Sequence, residues 1–156
     1  MSRLVLMCGV AGSGKSTYAR RLEDAGWLRF TIDGAAWELG LTDARAVTDV
    51  IALEARRRQR GQIADALDAG RDVVVDYSFW SRRQRDDYRA LGREHGAEVE
   101  VVHLDTPPDV VRRRLAERRG AHADDFTVDA ELLEHYLRVF RPPGPDEDDV
   151  TVVVTP

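Results

Sequence analysis

A glycine-rich segment near the start of the chain contains the residues best suited to bind phosphate. It reads Gly9-Val10-Ala11-Gly12-Ser13-Gly14-Lys15-Ser16. The glycines allow a tight loop whose backbone N–H groups face phosphate oxygens, and the following helix directs the positive end of its dipole at the same point. In such a loop the lysine reaches the β- and γ-phosphates, and the serine hydroxyl ligates Mg²⁺. We therefore expect ATP and Mg²⁺ to be bound here, by Gly9, Ala11, Gly12, Ser13, Gly14, Lys15, Ser16 and Thr17.

Lys15 is the single lysine of the chain, and every other basic side chain is an arginine. An ammonium group is nearly a point charge and fits between two phosphates, whereas a guanidinium group is a broad planar fork. The lysine thus stands where its particular chemistry is needed. We expect Lys15 to be catalytic.

Three aspartates follow predicted strands, and open α/β sheets bind ligands at the carboxyl ends of their strands. Asp33 follows the second strand, Asp76 follows the valine run 73–75, and Asp105 precedes Thr106-Pro107-Pro108. Asp105 is most simply an N-terminal helix cap. In phosphoryl transfer an acid accepts the proton of the attacking hydroxyl, and we assign this role to Asp33. Asp76 is expected to help hold Mg²⁺ through water. For Asp33 and Asp76 the alternative is that each is a turn or cap residue.

Arg114 and Arg118 lie four residues apart on a helix predicted over 107–119, so they share one face. Next to them the polar segment 119–125 has the composition of a mobile loop. Two arginines beside such a loop could close over the nucleotide and stabilise charge on the transferred phosphoryl group. The same stretch also contains Arg112, Arg113 and Arg119. The alternative is therefore a solvated basic helix face.

The segment from Tyr77 to Arg85 directly follows Asp76 and combines aromatic, small polar and basic side chains. Its residues, Ser78 and Phe79 among them, could form an acceptor pocket at the mouth of the sheet. An anion in that pocket could be gripped by Arg82, Arg83 or Arg85. The alternative is structural, because Ser81 fits an ordinary helix cap and the aromatic rings would then simply pack.

The elements that must position these residues alternate between strands and helices. We predict strands at 3–8, about 28–32, 72–76, 98–104 and 150–154, and helices at 15–25, about 34–69, 81–95, 107–119 and 129–139. Such alternation is typical of a parallel sheet covered on both faces, and continuous valine runs suit its strands. Within the longest helical stretch, the arginine-rich run 56–60 is more typical of a solvated face than of a site for a phosphorylated substrate, which is the alternative.

Length and composition exclude several classes of protein. A chain of 156 residues fits one domain, and it contains no apolar run long enough to span a membrane and no secretory leader before the first strand. Cys8 is the only cysteine, so no internal disulfide forms, and it fits a small core residue. The net charge of −5 disfavours a general affinity for nucleic-acid backbones. We expect a cytoplasmic protein that is a monomer or a homodimer.

Taken together, these residues resemble the P-loop kinases of the small-molecule phosphotransferase group. The resemblance is strongest to bacterial predicted kinases related to the polynucleotide 5′-kinase domain, and weaker to gluconate kinase, zeta toxins and chloramphenicol phosphotransferase. It covers most of the chain, through the segments 9–17, Asp33, 76–83, 104–107 and 114–118. It implies a single three-layer P-loop NTPase domain over 1–156, with a five-stranded parallel sheet of order 2-3-1-4-5, helices on both faces and a short lid at about 119–128.

The resemblance also implies roles for individual residues. The acid matching Asp33 is the general base in that family, and the acid matching Asp76 lies at the catalytic site. The arginines matching Arg114 and Arg118 belong to the lid.

One departure from the family's pattern affects the expected acceptor. The polynucleotide kinase pattern has an arginine three residues after the catalytic acid, where it grips a substrate phosphate. Here that position is Ala36, followed by Trp37. An apolar side chain facing the pocket would suit a small, partly apolar alcohol, so we expect Trp37 to contact the substrate.

The leading hypothesis is an ATP-dependent kinase that phosphorylates a hydroxyl of a small molecule, either a metabolite or an antibiotic-like alcohol. A polynucleotide 5′-hydroxyl kinase is the enzymatic alternative. A nucleotide-binding switch or slow ATPase is the alternative from another class. A guanine-specific switch would carry Asn-Lys-x-Asp, which is absent because Lys15 is the only lysine.

Replacing Lys15 by arginine tests whether the loop needs an ammonium group rather than any positive charge. We expect both Lys15→Arg and Lys15→Ala to lower phosphoryl transfer by about 10²–10³-fold, because one preorganised contact to developing charge contributes about that much. The measurement is turnover with ATP and Mg²⁺, with circular dichroism to show that the fold is intact. Wild-type turnover in Lys15→Arg would contradict the assignment.

Overall fold

Short runs of β-branched and apolar residues form the strands of a central sheet. The computed structural model describes residues 1–154. The strands are β1 Arg3–Cys8, β2 Leu28–Phe30, β3 Val73–Val75, β4 Glu98–Asp105 and β5 Val150–Val154. The helices are α1 Lys15–Asp24, α2 Ile32–Glu38, α3 Asp49–Asp68, α4 Arg82–Glu94, α5 Pro108–Ala116 and α6 Ala130–Val139, with a short 3₁₀ helix at Ala44–Ala46.

The five strands form one parallel sheet in the order β2-β3-β1-β4-β5. In the centre of the sheet, Leu6 of β1 pairs with Val75 of β3 on one side and with Val101 of β4 on the other. Both the predicted fold class and the predicted strand order are confirmed. Because all strands run the same way, the residues after β1, β2, β3 and β4 meet at one edge of the sheet.

The two faces of β1 pack against different helices. Leu4 and Leu6 belong to a core cluster that includes Ile63 of α3 and Leu91 of α4. The alternate residues of β1 join a second cluster on the opposite face, together with Ala19 of α1. This arrangement makes the three layers that the alternating sequence predicts.

The element boundaries differ from the predicted ones by more than one residue at three places. The second strand ends at Phe30 rather than near residue 32, so Asp33 lies in the first turn of α2. Helix α5, which was predicted over 107–119, ends at Ala116. The predicted helical stretch 34–69 is divided, because Gly40 (φ 83°) follows the end of α2 and the Thr48 hydroxyl accepts a hydrogen bond from the Ile51 N–H to begin α3.

A buried ionic network joins α4 to the loop before β5. The Arg85 guanidinium donates to Glu147 at 2.9 and 3.1 Å, and Arg89 donates to both Glu147 and Asp149. The side chains of Arg85 and Glu147 are each only 1% exposed. Burial alone would raise the pKa of Glu147, but hydrogen bonds from Arg85, the Gly144 N–H and Arg89 lower it to about 2.

The same arginine stabilises an unusual backbone conformation at Phe79. This residue has a φ of 45°, which an aromatic residue rarely adopts. Its carbonyl accepts hydrogen bonds from Arg85 Nη1 at 2.8 Å and from the Cys8 thiol at 3.5 Å. Its ring is 1% exposed and stacks on Tyr77. The network therefore supports the segment that follows β3.

Glu147→Gln should show how much this network stabilises the fold. We expect the free energy of unfolding to fall by about 3–5 kcal/mol at pH 7, since Arg85 would stay buried without its carboxylate. The pKa of Glu147 is depressed in the folded chain. Its contribution is therefore complete above the ordinary glutamate value of about 4.3 and is lost as the pH falls toward about 2.

The measurement is urea unfolding at pH 7 and at lower pH, with Asp146→Asn as the matched control. Asp146 is 69% exposed in its ion pair with Arg82, and such pairs contribute at most about 1 kcal/mol. Equal unfolding midpoints for the two variants would refute the role assigned to the buried pair.

Candidate active site

The phosphate-binding loop adopts a conformation that only its glycines permit. Gly14 forms the N-cap of α1 with a φ of 99°, and Gly12 has a φ of 81°. A Cβ atom on Gly12 would lie 2.9 Å from Leu115 Cγ, so the loop packs closely against α5. The Gly9 N–H donates to the Ser78 carbonyl at 3.1 Å, which ties the start of the loop to the segment after β3. The loop is thus held between β1, α1 and α5.

Two cavities meet at the carboxyl edge of the sheet. The P-loop groove, of about 480 Å³, is lined by Gly12, Gly14, Lys15, Ser16, Thr17, Arg114 and Arg118 among others. The large cavity, of about 730 Å³, extends from Ala11 and Asp33 toward α3 and α6. Among residues 1–154, Lys15 and Arg118 alone line both cavities. Lys15 is the first residue of α1 and is 9% exposed, so its ammonium is held at the junction.

The Asp76 carboxylate directly follows β3 and is 4% exposed. Its Oδ2 accepts hydrogen bonds from Ser16 Oγ at 3.0 Å and from Arg29 Nη2 at 2.7 Å. Its Oδ1 is buried and has no hydrogen-bond partner among residues 1–154. A buried carboxylate oxygen without a donor, beside a serine hydroxyl, fits a hydrated Mg²⁺ ion.

Mg²⁺ in such sites takes much of its coordination from water and substrate phosphates. In the part of the chain that the structure describes, no group of three or more His, Cys, Asp or Glu side chains could hold a metal ion. The donor set of Ser16 and Asp76 therefore fits an ion that arrives with a nucleotide.

Arg29 is a site residue that the sequence analysis missed. Its guanidinium joins Asp76 to Asp124 of the 119–128 segment, with Nη2–Oδ1 2.6 Å and Nη1–Oδ2 3.3 Å to Asp124. Burial alone would lower the pKa of Arg29, but the hydrogen bonds to Asp124 and Asp76 outweigh it and raise this pKa above its usual range. The available signal was an arginine in the middle of the short β2 strand, where a charge needs a partner.

Asp33 lies in the first turn of α2 and lines the large cavity. Burial raises the pKa of its carboxyl group, and the charge of Asp76 raises it further, whereas Lys15 and Arg118 oppose the shift. Asp33 lines the same cavity as both residues of the junction. The carboxylate is thus poised to take up a proton more readily than an exposed aspartate.

Arg114 and Arg118 both reach the P-loop groove although α5 ends before Arg118. Arg114 Nη1 donates to the Gly12 carbonyl at 3.2 Å, and Arg118 Nη1 donates to the Phe126 carbonyl at 3.3 Å. Burial lowers the pKa of Arg118, and the nearby Asp33 carboxylate opposes this effect. The neighbouring arginines do not line the groove: Arg112 pairs with Glu134 at 2.8 Å, and Arg113 and Arg119 are exposed.

The segment after Asp76 contributes only part of what the sequence analysis assigned to it. Ser78 and Phe79 line the large cavity, but Arg82 and Arg83 do not. Arg82 is exposed and pairs with Asp86 and Asp146, because the first turn of α4 points it along the surface. Arg83 is exposed on the same turn. Arg85, the third candidate for an anion contact, is fully engaged by Glu147.

Two further assignments differ from the structure. Trp37 does not line either cavity; its ring packs against Phe126 with the centroids 6.3 Å apart, and Phe126 forms the wall instead. Asp105 is an exposed residue at the end of β4 and does not cap α5, whose N-cap is Pro107 without a side-chain cap. The proline supplies the backbone conformation for the helix start, so no acidic cap is needed.

The arginine-rich part of α3 was interpreted as a solvated face, but much of it lines the large cavity. Arg56, Arg57 and Arg60 all line this cavity. The interpretation as a solvated face fits Arg58, which is exposed and does not line the cavity, but it is wrong for half-buried Arg56. Much of the remaining wall is aromatic and comes from Tyr77, Phe79, Trp80, Tyr88, Phe126, Tyr136 and Phe140.

A parallel sheet of this order, with a glycine loop after β1 and a lysine opening α1, defines a P-loop protein with a kinase-like fold. Residues 4–143 match the model of the AAA domain family AAA_33. The chain belongs to that family. The expected resemblance to the P-loop small-molecule kinases is likewise confirmed, since solved kinases share its fold.

Two solved structures cover almost all of the chain. A sugar kinase from Janibacter sp. HTCC2649 is 26% identical, with a TM-score of 0.70 and coverage of 99% of this chain and 86% of that one. A putative kinase from Chloroflexus aurantiacus is 19% identical, with a TM-score of 0.78 and coverage of 98% and 88%, and shows the fold alone.

Among curated proteins, a nucleotide-binding protein from Trichlorobacter lovleyi is 32% identical over 123 residues, which are 79% of this chain and 38% of that protein. The chain spans well under half the length of the curated relatives it matches. Within residues 1–154, none of the helices combines the length and the apolar character that crossing a membrane requires.

Replacing Asp124 by alanine should release the 119–128 segment from the site. We expect amide hydrogen exchange in this segment to accelerate by at least about tenfold, because hydrogen bonds to charged groups contribute roughly 1.5–3 kcal/mol. The measurement is exchange followed by mass spectrometry. Arg20→Gln is the control, since exposed Arg20 contacts Asp124 only at 3.5 Å. Unchanged exchange in Asp124→Ala would show that Arg29 does not hold the segment.

Proposed function

We propose that the protein is an ATP-dependent kinase that transfers the γ-phosphoryl group to a hydroxyl of a small molecule. The observation that carries this proposal is the junction of the two cavities. A groove beside the phosphate-binding loop meets a separate large cavity at Lys15 and Arg118, and Asp33 lines the large cavity next to them. A protein that only hydrolysed or sensed a nucleotide would have no use for the second cavity or for this acid.

In this proposal the loop residues bind the nucleotide phosphates through backbone N–H groups, and Lys15 contacts the β- and γ-phosphates. Ser16 and Asp76 would hold Mg²⁺, which would supply charge neutralisation at the phosphates. Arg114 holds the loop through the Gly12 carbonyl and lines the groove on the side of α5. The chain would act as one domain, with the segment 119–128 as a lid over the groove.

Asp33 is the proposed general base. As the acceptor oxygen bonds to the γ-phosphorus, the bond from that phosphorus to the β–γ bridging oxygen breaks, and ADP leaves. The hydroxyl proton passes to the Asp33 carboxylate, whose raised pKa favours its acceptance. Arg118 would stabilise the charge that spreads over the transferred group.

The walls of the large cavity favour a small acceptor over a polynucleotide. Aromatic rings form much of the cavity, and the net charge of −5 does not attract a phosphate backbone. At the position where the polynucleotide kinase pattern has an arginine, the chain has Ala36, which is 1% exposed. Helix α2 therefore offers no basic side chain that could bind the phosphate backbone of a nucleic acid.

Asp33→Asn, assayed with ATP, Mg²⁺ and a panel of small alcohols, tests the proposal. We expect wild type to give products heavier by one phosphoryl group, and turnover in the variant to fall by about 10²–10⁴-fold with nucleotide affinity little changed. Wild-type turnover should also fall on the acid side at a pH above the ordinary aspartate pKa, because the pKa of Asp33 is raised. Glu38→Gln, an exposed acid on the same helix, is the control.

Two results would contradict this assignment in different ways. If Asp33→Asn loses nucleotide affinity but keeps normal residual turnover, Asp33 helps to hold the metal ion, and Asp76 is the better candidate for the base. Slow ATP hydrolysis without any phosphorylated acceptor would favour a nucleotide-binding switch or ATPase.

A further inference from the structure

A buried glutamine of α3 fixes the inward face of this helix against the start of α2, where Asp33 lies. Gln59 Nε2 donates to the Thr31 carbonyl at 3.0 Å, and Gln59 Oε1 accepts from the Tyr77 hydroxyl at 2.5 Å. Ile63, one turn further on, is fully buried. Arg56 precedes Gln59 by three residues and therefore shares this face. The hydrogen bond from Gln59 to Thr31 therefore sets the position of the Arg56 backbone relative to the first turn of α2, which contains Asp33.

Two other arginines of α3, Arg57 and Arg60, line the large cavity, and Arg56 differs from both in lacking a carboxylate partner within residues 1–154. Arg60 pairs with Asp87 at 2.8 Å and lies over the Tyr88 ring, and Arg57 is 74% exposed in a loose pair with Glu54. Arg56 is half-buried and lines the large cavity, yet it makes no ion pair or hydrogen bond within residues 1–154. A partly desolvated guanidinium without an anion is unfavourable unless a ligand supplies one.

The acids that line the same cavity are either engaged elsewhere or remote. Asp76 is held by Arg29 and Ser16, Asp87 by Arg60, and the charges of Lys15 and Arg118 act on Asp33. Asp49 is exposed and lies two helical turns before Arg56, about 10 Å along the axis. An anion brought by a ligand would therefore meet an uncompensated cation on the α3 wall.

We infer that the acceptor is an anionic hydroxyl compound whose carboxylate or phosphate group is bound by Arg56, while its hydroxyl faces Asp33. This inference rests on the proposed kinase function and adds the chemical class of its substrate. A guanidinium fork binds either anion through two parallel N–H···O bonds. Aromatic side chains form much of the cavity wall, and such apolar surroundings strengthen a pair of opposite charges.

Two matched sets of compounds test the inference with the purified chain. One set is glycerol, glycerate and glycerol 3-phosphate, and the other is glucitol, gluconate and glucitol 6-phosphate. Within each set the members differ in having no anion, a carboxylate or a phosphate. Binding is measured by calorimetry with and without Mg·ADP, and phosphoryl transfer from ATP is measured separately by mass spectrometry.

We expect at least one anionic compound to bind more tightly than the neutral member of its set by about 10- to 100-fold in the wild type. Arg56→Gln should remove this preference and leave the affinity for the neutral member unchanged, and Arg56→Lys should restore it in part. Arg58→Gln is the matched control, because Arg58 is exposed in the same run and does not line the cavity. The better anion in the wild type identifies a carboxylate or a phosphate as the natural group.

Equal binding of neutral and anionic members, a preference that survives in Arg56→Gln, or no binding of either set would overturn the inference. Each of these results leaves the kinase proposal standing if other alcohols are phosphorylated. An Arg56-dependent anion preference without any phosphoryl transfer would instead support the binding site and contradict the kinase function.

Discussion

The Asp76 carboxylate is the contact on which the arrangement of the site depends. It directly follows β3, is almost completely removed from water, and receives hydrogen bonds from Ser16 of the phosphate-binding loop and Arg29 of β2. A buried carboxylate is unfavourable unless it is paired, so these partners are held close to it. Arg29 extends the chain of charges to Asp124. One acid therefore connects the loop, two strands and the 119–128 segment, and its Oδ1 has no hydrogen-bond partner within residues 1–154.

A second buried ionic group has a different purpose. Arg85, Arg89 and Glu147 lie behind the segment that follows Asp76, and they contact no part of either cavity. Arg85 nevertheless holds the Phe79 carbonyl in a strained conformation, which directs the Phe79 ring into the aromatic wall. Strain of this kind persists only where the surroundings over-determine it. The molecule thus uses buried arginines twice, once to assemble the charged junction and once to shape the apolar wall beside it.

The fold could be read from the sequence because it depends on local patterns. Valine runs, the glycine loop and alternating elements predict the parallel sheet without knowledge of tertiary contacts, whereas its strand order came from the resemblance to the P-loop kinases. The positions of Asp33 and Asp76 follow, since strand ends meet at one edge. The direction of long side chains does not follow. Arg82 and Arg85 are three residues apart on α4, yet one points along the surface and the other into a buried pair. Arg29 was missed and Arg56 was assigned to a solvated face, because the environment of each is made by distant segments.

Arg56, the cation to which we assign the anion of the acceptor, comes from an element that the resemblance does not indicate. The related polynucleotide kinase pattern places an arginine on the helix of the catalytic acid, but Ala36 occupies that position and is buried, so a long side chain would not fit without displacing its neighbours. Arg56 offers a positive charge from α3 instead, across the cavity wall. An arginine on α3 would contact an anion from a different direction than an arginine on α2. Under the proposed kinase function, the same fold and the same base would accept a different alcohol, because the wall of this cavity comes from side chains of α3, α6 and the segment after β3 rather than from the sheet itself.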